Sequence, residues 1–97
     1  MDFALNLFVQ EVEDEELSED LTIYPNPAKG YFNYLLDFQE KIDDAHVEII
    51  DLMGKTVKII QLKTKKGQIN VSDLHGGYYF IRIRNGNKSF VMSLIIE

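Results

Sequence analysis

The chain contains no cysteine. That excludes a disulfide scaffold, a CxxC redox pair and a Cys-ligated zinc site. It leaves the compartment open, because secreted proteins need not carry disulfides. Tryptophan is also absent, so the aromatic content is Tyr and Phe alone. No apolar run approaches the 18 or so residues that read as a membrane-crossing helix. The first nine residues lack the positive n-region of a signal peptide, and Asn6 interrupts their apolar character. If the protein is exported, the chain is a piece of a longer protein whose export signal lies elsewhere.

Positive charge is missing from one region in particular. Residues 1–20 hold eight acids (Asp2, Glu11, Glu13, Asp14, Glu15, Glu16, Glu19 and Asp20) and no Lys or Arg. Residues 21–97 hold eight acids and ten bases, so the overall charge of −6 belongs to an arm beside a near-neutral domain. A near-neutral domain is a poor nucleic-acid binder, which needs a concentrated basic face. At 97 residues the chain is one domain, or one domain plus an arm, with a modest core.

What is present is alternation. Phe3, Leu5, Leu7 and Val9 share one side of a period-two segment and predict a strand, belonging either to this domain or to a preceding one. Residues 10–20 carry seven of the acids and predict an extended or disordered linker, open to proteolysis. The domain then runs over residues 21–97. Residues 21–24 predict a short strand stopped by Pro25, which has no N–H to give a ladder. Asn26 stands between Pro25 and Pro27, and Gly30 permits positive φ before the next strand. Phe32, Tyr34, Leu36 and Phe38 form one apolar face. Residues 46–52 and 56–62 predict a hairpin turning at Gly54-Lys55, with Asp51 bonding the turn. Residues 63–68 predict a basic loop and residues 69–71 a short strand. Residues 78–84 and 87–96 predict a second hairpin, joined by Asn85-Gly86 as a type I′ turn. About seven short strands with no convincing helix predict an all-β fold, an immunoglobulin-like antiparallel β-sandwich.

Chemistry is sparse. His46 and His75 have no nucleophile in a glycine elbow near them, and Ser72, Ser89 and Ser93 lack that context too. Asp43, Asp44 and Asp51 do not form a calcium-loop run. Gly76-Gly77 precedes no helix, so it is not a phosphate loop. These readings predict no catalytic residue, no metal and no cofactor. Tyr78, Phe80, Arg82 and Arg84 share one strand face, which reads either as a half-exposed face with cross-strand pairs or as a ligand stripe.

Three blocks together resemble a known family. Ile-Tyr-Pro-Asn-Pro over residues 23–27 with Gly30 is the first: Tyr24, Pro25, Asn26 and Pro27. The hairpin over residues 47–57 with Asp51, Gly54 and Lys55 is the second. Residues 69–86, with Gly77, Tyr78 and Gly86, are the third. In this order and spacing they resemble the type A C-terminal sorting domains of the type IX secretion system of Bacteroidetes-type bacteria. The family often carries a lysine near its final strand, whereas this chain has none after Lys88.

That resemblance implies a small β-sandwich that directs cargo from the periplasm through an outer-membrane translocon. It implies later removal by a sortase-like protease, with the acidic linker as the processing segment, and a destination at the cell surface or outside the cell. It further implies a non-enzymatic domain with no cofactor, no nucleic-acid partner and no membrane span. The final strand, if it lies at a sheet edge, offers backbone groups to a partner. The competing expectation is an accessory binding module for carbohydrate or protein, with Tyr31, Tyr34, Tyr78 and Phe80 as contacts. Monomer and strand-swapped dimer both stay open.

Overall fold

A computed structural model describes residues 15–17, 21–38 and 41–97. The strands are β1 Glu15–Leu17, β2 Leu21–Tyr24, β3 Tyr31–Leu36 and β4 Ala45–Asp51. They continue with β5 Thr56–Leu62, β6 Lys66–Asn70, β7 Gly77–Asn85 and β8 Lys88–Ile96. Two sheets form, in the orders β1-β8-β7-β4-β5 and β2-β3-β6. All pairings among β2 to β8 are antiparallel, and β1 joins β8 in parallel. The seven strands of residues 21–96 thus make an immunoglobulin-like sandwich. Lettered A to G they form sheets ABE and DCFG; D lies beside C, not beside E as in antibody constant domains.

The core is the inward half of each alternation. Phe32, Tyr34 and Leu36 of β3 face Val47 and Ile49 of β4, Ile81 and Ile83 of β7, and Phe90, Leu94 and Ile96 of β8; all are buried. Phe38 caps this layer, stacking on Phe90 with ring centroids 5.5 Å apart. Lys65 covers its open side, with Nζ 5.0 Å above the Phe38 ring and donating to the Phe38 carbonyl at 2.6 Å. No helix among the described residues is long and apolar enough to cross a membrane.

Three details differ from the sequence reading. First, β6 begins at Lys66, inside the expected loop, and Gly67 is a strand residue paired with Tyr34. A Cβ at Gly67 would lie 2.9 Å from the Tyr34 hydroxyl and 3.0 Å from its ring, so glycine here makes room for a buried tyrosine. Second, Asn85 is the last residue of β7, paired with Lys88, and the two loop residues are Gly86 and Asn87. Only Gly86 has positive φ (60°), which is the pattern of a type II′ turn, not type I′. The Asn85 side chain is buried instead, donating to the Lys41 carbonyl and accepting from the Asp43 N–H. Third, Glu15–Leu17 is a strand on the edge of β8, so that part of the acidic arm is paired. The strand expected over residues 2–9, and Glu11, Glu13, Asp14, Glu19 and Asp20, lie outside the described residues.

The Tyr34 hydroxyl also donates to the Thr64 carbonyl at 3.1 Å, so its ring has no easy retreat. Gly67→Ala is expected to cost about 1–3 kcal/mol by overpacking. In a domain this size thermal melting should register a fall of at least ~4 °C; an unchanged melting temperature would show that the ring yields freely.

Candidate functional site

The site is built where β8 ends. Antiparallel β8 uses alternate backbone groups on β7 and leaves the others facing outward. At residues 93–97 those outward groups are taken by the corner that follows β2. Ala28 donates its N–H to the Ile95 carbonyl at 2.7 Å, and its carbonyl accepts the Glu97 N–H at 2.9 Å. This is one rung of a parallel ladder, with Ala28 opposite Ile96. One rung back, a regular parallel strand would place the N–H and C=O of residue 26 on Ser93 and Ile95. The Asn26 side chain makes that rung instead: Nδ2 donates to the Ser93 carbonyl at 3.2 Å, and Oδ1 accepts the Ile95 N–H at 2.9 Å. A carboxamide has the donor and acceptor of a peptide unit, so it substitutes for one.

Local sequence explains why the side chain does this. Pro25 and Pro27 flank Asn26 and have no N–H to extend a ladder. Both X–Pro peptides, Tyr24–Pro25 and Asn26–Pro27, are cis. The corner is held from behind by Ala28, which is fully buried in the core. Its far end is fixed where Gly30, at φ 81°, accepts the Val71 N–H at 2.8 Å. Asn33 Nδ2 donates to the Tyr24 carbonyl at 3.2 Å.

The other motif residues gather at the same end of the sandwich. Gly77 and Tyr78 of β7 pair with Ile96 and Ile95, beside the corner. Asp51 pairs with Tyr79, so the β4–β5 turn lies level with Tyr78 and Gly77. In that turn one Asp51 carboxylate oxygen accepts the N–H groups of Met53 and Lys55, each at 2.9 Å. Gly54, at φ 87°, donates to the Asp51 carbonyl. The turn holds up exposed Leu52 and Met53, and Tyr78 is exposed nearby. Gly86 is the exception: its turn packs on Asp43 at the opposite end.

The proposed contact aromatics of a binding module do not form one surface. Tyr34 is buried in the core, because β3 alternates inward at 32, 34 and 36. Tyr31 points outward from the three-stranded sheet, whereas Tyr78 and Phe80 lie on the outer face of the other sheet. That face carries cross-strand charge pairs. Arg82 donates to Glu48 Oε1 through Nε at 3.0 Å and Nη2 at 2.8 Å. His46 and Arg84 flank the second oxygen at 3.1 and 3.7 Å. His46 is therefore a sheet residue paired with Glu48, and His75 is an exposed loop residue.

Burial pushes the Glu48 carboxyl up, but the Arg82 hydrogen bonds and charge, with His46 and Arg84, outweigh it and hold the group below its usual 4.5. A depressed folded pKa contributes stability above the unfolded value that fades as pH falls through the folded one. Glu48→Gln should therefore unfold more easily than the parent in urea near pH 7, with the gap closing below about pH 4. An equal gap at both pH values would remove the carboxylate's role.

Asn26→Ala should cost about 1–2 kcal/mol, the worth of two partly exposed hydrogen bonds. Urea denaturation checks this; no loss would mean that water replaces the amide without penalty.

Residues 22–97 match the family described as a secretion system C-terminal sorting domain. A search of curated proteins found no match. The match spans most of the chain, from β2 through β8, and the corner, hairpin and β7 blocks all fall within it. The chain belongs to the C-terminal sorting domain family of the type IX secretion system.

Proposed function

We propose that this domain is read by the outer-membrane translocon of the type IX system at the end of the sandwich that carries residues 24–30, Asp51–Lys55 and Gly77-Tyr78. The family membership itself makes the domain a sorting signal for export to the cell surface or the extracellular space. The finer route is our reading: cargo waits in the periplasm, the translocon engages the sandwich, and a sortase-like protease then cuts in the acidic arm over residues 10–20. The domain does this without catalysis of its own.

The observation that carries the reading is the convergence of family blocks at one end of the fold. Motifs far apart in sequence lie at that end: Asn26 bonds Ser93 and Ile95, Gly77 pairs with Ile96, and Asp51 pairs with Tyr79, itself opposite Leu94. Residues 15–17 of the acidic arm lie along Ser89–Val91, toward the start of β8. The acidic sequence that flanks this paired segment is the proposed substrate for proteolysis.

Fusing the full chain to a periplasmic reporter in a host with the type IX system tests this. The reporter should reach the surface or medium, and stay periplasmic in the same host lacking the system. N-terminal sequencing of the released domain should place the cut within residues 10–20. Retention in the periplasm, while another sorting domain exports the same reporter, would refute the sorting role.

A further inference from the structure

β8 and β5 sit at or near the two edges of the larger sheet, and they are protected in different ways. Nothing among the described residues pairs with the outer edge of β5. Its guard is charge: Lys58 pairs with Ile49 of β4, on the core side, and reaches Asp73 at 2.8 Å. An inward lysine on an edge strand discourages strand addition. β8 has no such guard between Lys88 and Glu97. Its run Ser-Phe-Val-Met-Ser-Leu-Ile-Ile is uncharged and rich in strand-forming residues, the kind of edge that recruits other strands.

What protects β8 is a physical cover in two pieces. β1 lies along Ser89–Val91, and the Asn26 amide with the Ala28 backbone lies along residues 93–97. Both pieces run parallel to β8. The second piece is thin. Pro25, Asn26 and Pro27 are exposed, and Ala28 alone anchors them in the core.

We propose that the corner over residues 24–30 is a latch, and that its lifting opens the edge of β8 to an extended strand of the secretion machinery. The inference rests on the sorting role and names the surface used. The incoming strand runs parallel to β8 and takes over the Ser93 and Ile95 carbonyls and the Ile95 and Glu97 N–H groups. It is an uncharged segment with apolar residues at alternate positions, because it lies beside Leu94 and Ile96 on the core side. Exposed Tyr78, paired with Ile95, lies one strand in from this edge.

Two variants of the full chain, fused to the reporter, test this. Lys29 and Glu97 are exposed and their side chains meet at 3.4 Å across the latch. Ala28 stands opposite Ile96, so Lys29 and Glu97 follow as neighbours across the latch, and the pair Lys29→Cys with Glu97→Cys tests whether a disulfide there holds it shut; the chain has no other cysteine. The oxidised pair should be exported about tenfold less than either single variant, with export restored by reductant. Ser93→Lys leaves the Ser93 carbonyl on Asn26 but puts a charge on the exposed face of β8; it should melt like the parent yet lose about tenfold in export. Normal export of both the oxidised pair and Ser93→Lys overturns the proposal. A dimer of Asn26→Ala in size-exclusion chromatography, with normal export of Ser93→Lys, overturns it in favour of a second copy as the occupant. Retention of the unmodified chain itself would instead count against the sorting role, so the two failures are separable.

Discussion

The Asn26 carboxamide occupies a rung that a backbone would otherwise fill, and the closed form of the sandwich depends on it. It joins residues 67 and 69 positions apart in sequence. A sheet edge is a row of unused donors and acceptors, each costly when shut away from water unpaired and reactive toward other strands when left open. Here an uncharged final strand could tolerate neither state. The corner resolves the conflict with one side chain and one alanine backbone. Pro25 and Pro27 keep the main chain from continuing as a strand, so the side chain reaches in where the backbone cannot follow.

The rest of the fold serves this end. The sandwich brings the start of β7, the β4–β5 turn and the close of β8 into register beside the corner. Asp51 fixes the turn through two N–H groups, so the exposed Leu52 and Met53 are held out by backbone hydrogen bonds and not by packing. The conformational cost of such exposed apolar groups is small, but their hydration is unfavourable, which fits a surface made to be covered. The opposite end is built for closure. Phe38, Phe90 and Lys65 seal one part of it, and Asn85 ties down the preceding loop with buried hydrogen bonds.

Much of the fold was legible because period-two alternation states both the strand and its face. Phe32, Leu36 and Phe38 were readable as one apolar face from their spacing, and Phe32 and Leu36 are buried in the core. The start of β6 was not, since Lys65, Lys66 and Gly67 carry loop chemistry; what makes Gly67 a strand residue is the Tyr34 ring across the sheet. The turn after β7 shifted by one residue because Asn85 satisfies a loop 42 and 44 positions away instead of entering the turn itself. Tyr34 already shared the apolar face of Phe32 and Leu36 in the sequence, and its burial there rules it out as a contact. The role of Asn26 was hidden. Its neighbours predicted a stiff corner, and its partner strand is at the other end of the chain. The available signal was chemical: between two residues without an N–H, it is the one group offering both a donor and an acceptor.

The central claim is that this side chain stands in for a ladder rung on β8. Amide hydrogen exchange at Ile95 tests it most directly. In the parent chain the Ile95 N–H should exchange as slowly as amides in the β7–β8 ladder. In Asn26→Ala it should become fast under conditions where the β7–β8 amides stay protected. Fast exchange at Ile95 in the parent, or protection that survives Asn26→Ala, would contradict the account.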